Sequence, residues 1–361
     1  MGIHQGEESM SIVSRKSDHI RIVLEEDVDF RGKATGFQEY DFVHCALPEL
    51  DYSEVSTEVT FLGKSLTFPL MISAMTGGCP DALVINEMLA ELIQAEGLAI
   101  GVGSQRPMAD ESRYKESYRI VREKAPDRVI VGNVGAAQIA RMEKPDSVKR
   151  MVEVIQANAM AVHLNPLQEC LQPEGDRDFT GVLRGIEDLV RALEVPVMVK
   201  EVGCGISQEV AERLANVGVQ YIDVAGAGGT SWAAVESFRQ KDTDLAGRFR
   251  DWGLPTAISL KEVTGVRGIH AIASGGIRDG QTMAKALALG AEICGAAAPF
   301  LRVLSEGGVD ALRKTVQEWR ESLKMVLFLT GSRSIDQIRR PGVIYFKGRD
   351  AAKREVTPGE K

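Results

Sequence analysis

The 361-residue chain is 44% apolar and 26% charged, enough to bury a large core in one or two domains. A formal charge of −8 with scattered basic residues excludes the basic footprint of a nucleic-acid binder, so any anionic ligand must meet a local basic site. The five cysteines form no CxxC pair, no apolar stretch approaches the ~18 residues of a membrane span, and the first residues lack a signal-peptide layout; a soluble protein of the reducing cytoplasm is expected, with no membrane partner.

Residues 1–66 read as an N-terminal extension. Within it "SRKSDHIRI" sets Arg15, Lys16 and His19 together. In a helix residues 15 and 19 share a face, and three cationic or potentially cationic groups suit a diphosphate; a solvated basic turn is the alternative.

From about residue 67 short Val/Ile/Ala-rich runs alternate with amphipathic segments. "PLMISAM" precedes "DALVINEMLAELIQAEG", whose Ile85, Met88, Leu89, Leu92 and Ile93 recur at helical spacing. Further strands are expected at "LAIGVG", "RVIVGNVG", "AMAVHLN", "VPVMVKEVG", "QYIDVAGAG", "HAIASGG" and "AEICGAAAPF". Two of the intervening helices are clearest: "ISQEVAERLANVG", closed by Gly218, and "DGQTMAKALALG", opened by Asp279 and closed by Gly290. Eight apolar strands alternating with helices imply parallel pairing with both faces covered, hence an α/β protein with a (β/α)8 TIM barrel over residues 67–331; a doubly wound open sheet is the alternative. "SWAAVESFRQKDTDLAGRFRDWG" is a long loop after strand six, read as an active-site loop, lid or interface. Residues 332–361 read as a polar C-terminal tail.

In a barrel, function collects where strands end. The ends here carry Ser73 to Gly78, Ser104 to Arg106, Asn133, His163 to Asn165, Lys200, and the glycine-rich "AGAGGTSW" and "SGGIRDG". Gly275 and Gly276 let backbone approach a ligand, and the helix opening near Arg278 and Asp279 offers N–H groups to a phosphate, unless the glycines merely permit a tight turn. Lys200 at a barrel mouth needs an anionic partner or a route to solvent. His163 is either a structural histidine or part of a site with Gln168 and Glu169. Glu169 suits a divalent cation that shares a diphosphate, or else faces solvent.

The motifs "RKSDHI", "SAMTGG", "GSQR", "GNVGAAQ", "HLNPLQE", "VKEVGCGIS", "DVAGAGGTSW" and "ASGGIRDG", in order across residues 15 to 300, resemble type 2 isopentenyl diphosphate isomerase, a flavin-dependent family. The resemblance implies interconversion of isopentenyl and dimethylallyl diphosphate for isoprenoid biosynthesis, with reduced FMN, Mg²⁺, NADPH as reductant, and a homo-oligomer, tetramer or octamer. By motif position, Ser73, Ala74, Met75 and Thr76 would line the isoalloxazine beside Ser104 and Asn133, with Lys200 at its pyrimidine side. Thr230, Gly276, Ile277, Arg278, Ala297 and Ala298 would hold the FMN phosphate end. Arg15, Lys16, His19, Ser104, Gln105, Arg106, His163 and Gln168 would hold the substrate, Glu169 would bind Mg²⁺, and His163, Gln168 and Lys200 would serve catalysis. Ala225 stands where some members carry Ser, which removes one hydroxyl contact to the cofactor.

Two oxidoreductase readings compete on the same barrel. A 2-hydroxy acid oxidase resembles an "HGGRQ"-like stretch bearing a His base, whereas "AGAGGTSW" has none; an IMP dehydrogenase-like enzyme needs a Cys in the loop after strand six, which also has none. A silent flavin- or phosphate-binding module would not need His163, Gln168 and Glu169 as a second anion site.

Overall fold

A computed structural model describes residues 15–110, 114–240 and 244–350. Eight parallel strands form a closed barrel: β1 (Leu70–Ile72), β2 (Ala99–Gly101), β3 (Ile130–Gly135), β4 (Ala159–His163), β5 (Val197–Lys200), β6 (Tyr221–Asp223), β7 (His270–Ala273) and β8 (Ile293–Ala296). Each pairs with its sequence neighbours, and β8 closes onto β1 through Cys294↔Leu70. The open-sheet alternative is thereby excluded.

Strand periodicity sorts the core into two shells. Leu70, Ile72, Ile100, Ile130, Met160, Val162, Val197 and Val199 face outward and pack under the helices. Met71, Ala99, Val131, Ala161, Met198, Ile272 and Ile293 face inward and fill the barrel. Phe61 and Leu66 join the inner shell from a hairpin, Val59–Phe61 with Lys64–Leu66, that plugs the N-terminal end. Its two-residue turn places Leu62 and Gly63 at positive φ, 47° and 74°, the geometry that matches strand twist.

The extension therefore serves both ends of the barrel. While the hairpin closes the bottom, a helix over residues 15–25 crosses the opposite mouth and packs Ile22, Val23 and Val28 against Ala234, Val235 and Leu301. Residues 332–350 depart from the expected polar tail. Ile335 and Ile338 are buried, and Ile344–Phe346 pairs antiparallel with Tyr40–Phe42; residues 351–361 lie outside the described set. The long segment after β6 forms helices Trp232–Gln240, Asp244–Arg248 and Thr256–Thr264.

Candidate active site

The inward register of the strands runs upward from apolar to polar. Two positions above Met71, Val131, Ala161, Met198 and Ile272 stand Ser73, Asn133, His163, Lys200 and Ser274, and Asp223 completes the ring from β6. A dry barrel interior thus ends in a polar floor at the mouth. His163 pairs with Lys200 in the ladder, and Lys200 with Asp223. His163 Nδ1 lies 2.7 Å from Asn133 Oδ1. Burial pushes the His163 ring down to about 3, reinforced by the charges of Lys200, Lys16 and Arg15, so the imidazole is neutral at pH 7. Lys200 Nζ donates to the Glu201 carbonyl and stands 4.0 Å from Asp223 Oδ2.

Above the floor, a buried carboxylate ties three segments together. Glu236 Oε1 accepts from His19 Nε2 at 2.9 Å, Gln172 Nε2 at 2.6 Å and Gln168 Nε2 at 3.3 Å, while Oε2 accepts from Arg239 Nε at 2.8 Å. Burial alone would raise this carboxyl, but His19, Gln172 and Arg239 outweigh it and hold it at about 2. Gln168 is fixed from its other side as well, its Oε1 accepting from Asn165 Nδ2 at 3.0 Å. The N-terminal helix is anchored further by Arg15 on Gln172 (3.2 Å). Its Lys16 Nζ donates to Gly77 O and, at 2.9 Å, to Ser104 O. Burial pushes the Lys16 amine down to about 7; Cys79 opposes the shift and Arg15 and Arg106 add to it.

The glycine motifs meet at one corner. Gly275 (φ 95°) and Gly276 (φ 75°) are left-handed. A Cβ on Gly275 would strike Gly226 O, and one on Gly276 would stand 2.7 Å from Gly228 O; glycine here serves both turn geometry and close backbone packing. The helix after this loop does not offer free N–H groups as expected, because Asp279 Oδ1 accepts from Thr282 N at 2.6 Å and brings negative charge to that end. The uncapped terminus is instead that of Ala298–Leu329, whose first turn has no side-chain cap and whose Ala297 and Ala298 face the cavity. Arg278 is held by Asp29 at 2.6 Å.

One cavity of about 300 Å³ gathers most of the residues singled out from sequence: Ser73 to Thr76, Ser104, Asn133, Lys200, Thr230, Gly276, Ile277, Arg278, Ala297 and Ala298, together with Arg15, Lys16, His19, Arg106, His163, Gln168 and Glu169. Gln105 is the exception. It is fully buried, its Nε2 donating to Met151 O at 3.0 Å and its Oε1 accepting from Asn133 N at 3.0 Å, so its amide braces β3 and does not reach a ligand. Glu236 and Asp223 escaped sequence reading. Glu236 imitates an exposed helical pair with Arg239, whereas Asp223 ends an apolar strand and could have been found by the rule that found Lys200.

Glu169 shares its two oxygens between Asn165 Nδ2 (2.9 Å) and Asp176 N (2.7 Å). Among the described residues no group of three or more His, Cys, Asp or Glu side chains forms a metal cluster. The protein therefore offers a cation one carboxylate in this cavity, a donor set that depends on ligand oxygens and water to complete it.

The FMN-dependent dehydrogenase family profile matches residues 120–344. An isopentenyl-diphosphate delta-isomerase of Nostoc sp. is 46% identical over 339 residues, 93% of this chain and 96% of the relative. The enzyme of that name from Synechocystis sp. is 52% identical over 303 residues, covering 83% and 86%. Among solved structures, a mandelate oxidase variant with an FMN adduct superposes with TM-score 0.61 at 18% identity, covering 85% of this chain and 88% of that one. A flavocytochrome b2 variant with bound pyruvate gives 0.67 at 18% identity, covering 95% and 88%. At that identity the structures speak for the fold alone.

Proposed function

The chain belongs to the FMN-dependent isopentenyl-diphosphate delta-isomerase family, and from that membership we propose how its barrel mouth isomerises isopentenyl diphosphate to dimethylallyl diphosphate. The observation that carries the reading is a cavity with two anion-receiving ends. One end is built from the Gly275–Gly276 loop and the uncapped helix start at Ala297–Ala298, the other from Arg15, Lys16 and Arg106 beneath the N-terminal helix. A cofactor phosphate and a substrate diphosphate need separate receivers.

The residues fit the flavin. Ser73 Oγ is buried at the mouth without a hydrogen-bond partner, and the polar floor offers Asn133, Lys200 and Ser274 beside it. Reduced FMN held there supplies the proton relay for moving the double bond. Lys200 brings a cation to the floor, where it favours negative charge on the ring above. The reacting end of the substrate is a hydrocarbon with nothing polar to grip, so binding must come from the diphosphate. Arg15, Lys16 and Arg106 take that charge. Gln168, pinned between Asn165 and Glu236, presents an amide in one fixed orientation, and positioning of this kind contributes to rate. His163, neutral and tied to Asn133, orients rather than attracts. Mg²⁺ would be held by Glu169 together with diphosphate oxygens, and NADPH would reduce the flavin. The exposed Leu245 and Trp252 of the insert provide an apolar face for a homo-oligomer. No helix among the described residues is long and apolar enough to cross a membrane, in keeping with a cytoplasmic enzyme.

The test is conversion of isopentenyl diphosphate followed by NMR in D₂O, anaerobically, with Mg²⁺ and FMN, with and without a flavin reductant. Deuterated dimethylallyl diphosphate is expected only when the flavin is reduced. No conversion in either arm, with FMN bound, would shift the reading to an oxidoreductase.

A further inference from the structure

The polar floor contains one charge that the reaction as described leaves without a task. Asp223, at the end of β6, is fully buried. Its Oδ1 accepts from Ser274 Oγ at 2.6 Å and from Ala225 N at 3.3 Å. Oδ2 has no hydrogen-bond partner and faces Lys200 Nζ across 4.0 Å. The two residues are direct partners in the β5–β6 ladder, so the spacing is set by the sheet. Buried polar atoms are seldom left unpaired for structural reasons alone, and a lone carboxylate inside a barrel is costly unless a cation answers it. Here the cation is the one that lines the cavity over the floor, while Asp223 itself lies beneath it and touches no ligand.

We infer that Asp223 is a positioning residue: it holds the Lys200 ammonium at the barrel floor and offsets part of its positive potential, and so sets how strongly the site prefers reduced over oxidised flavin. This rests on the flavin reading of the cavity. Reduced flavin carries more negative charge than oxidised flavin, and a cation nearby favours it. A carboxylate beside that cation opposes the preference, and also keeps the long lysine side chain from turning away to solvent. Ser274 completes the device, since its hydroxyl fixes the carboxylate, and Ala225, held at φ 37°, closes the turn around it.

The experiment compares flavin midpoint potentials, by dye equilibration on the FMN-loaded protein, in wild type, Asp223→Asn, Lys200→Gln and the double variant. Asp223→Asn keeps the shape and removes the charge. The expected result is an about tenfold gain in preference for the reduced form, which for a two-electron couple is a rise of about 30 mV. In the Lys200→Gln background the same change should move the potential much less. An unchanged potential in Asp223→Asn with FMN still bound, whatever happens to its melting temperature, would overturn the inference and leave Asp223 structural. An undiminished shift in the Lys200→Gln background would overturn the positioning role. Should Asp223→Asn fail to fold, Ser274→Ala serves instead. It removes a donor that stabilises the carboxylate, so the potential should rise by a smaller amount, and no rise would count against the inference. Failure of the wild type to bind FMN at all would bring down the functional reading itself, an outcome distinct from the others.

Discussion

His19 and Glu236 stand 217 positions apart in the chain and meet at 2.9 Å over the barrel mouth. The contact docks the N-terminal helix on the insert that follows β6, and it does so through a carboxylate with no exposure to water. Held at about 2 against the ordinary 4.5, the Glu236 carboxyl is a group whose folded value is depressed. Its contribution to stability is therefore present above pH 4.5 and is lost as the pH falls from there toward 2, and the size is about 3 kcal/mol. Glu236→Gln should forfeit that stability at pH 7 in urea unfolding, and the gap from wild type should close in acid. A gap of constant size across that range would refute the linkage.

How much of this was legible in the sequence depends on where the deciding partner lies. All eight barrel strands and the placement of polar groups at their ends followed from local periodicity, because strand register carries an apolar column directly into Asn133, His163 and Lys200. Glu236 had no such signal. Its i,i+3 neighbour Arg239 gives it the look of a solvated helix face, and its burial is decided by His19 and Gln172, both distant in sequence. The segment 332–350 hid for a similar reason. Its polar composition masks Ile335 and Ile338, and the pairing of Ile344–Phe346 with Tyr40–Phe42 joins the two ends of the chain, which no local pattern announces.

Gln105 separates a motif's presence from its role. Its amide bonds the backbone of Met151 and Asn133 in a site with no exposure, so Gln105→Ala leaves a backbone donor and a backbone acceptor unpaired. A loss of about 1–3 kcal/mol in unfolding free energy is expected, with KM for isopentenyl diphosphate changed less than threefold where the variant remains folded, a bound set as roughly the effect of one exposed contact. A large rise in KM at unaltered stability would return Gln105 to the substrate site.

His163 should be silent in the range where histidines ordinarily titrate. Burial, then the charges of Lys200, Lys16 and Arg15, push its ring to about 3, so the folded state resists a proton that the unfolded chain accepts below 6.5. The sign follows: this histidine costs the fold nothing above pH 6.5 and weakens it progressively as the pH falls from 6.5 toward 3. Imidazole ¹⁵N shifts of the flavin-free protein should show a neutral ring with Nδ1 protonated, unchanged between pH 8 and pH 5. Titration near 6.5 would show that the floor is wetter than its geometry implies.

Lys16 makes diphosphate binding a proton-linked event. Its amine is brought down to about 7, chiefly by burial, with Arg15 and Arg106 adding to the shift against Cys79. At pH 8 most of the free protein therefore carries a neutral amine, donating to Gly77 O and Ser104 O. A diphosphate arriving beside it favours the ammonium and raises the value again, so binding should take up about one proton at pH 8 and progressively less as the pH falls through 7. Titration calorimetry of isopentenyl diphosphate in buffers of different ionisation enthalpy reads that number directly. The uptake should vanish in Lys16→Met while the affinity drops by about tenfold or more, the scale of one lost charge-assisted contact. Uptake that persists in the variant would assign the proton to another group, and no uptake in the wild type would mean that Lys16 stays on its two carbonyls and serves only to dock the helix.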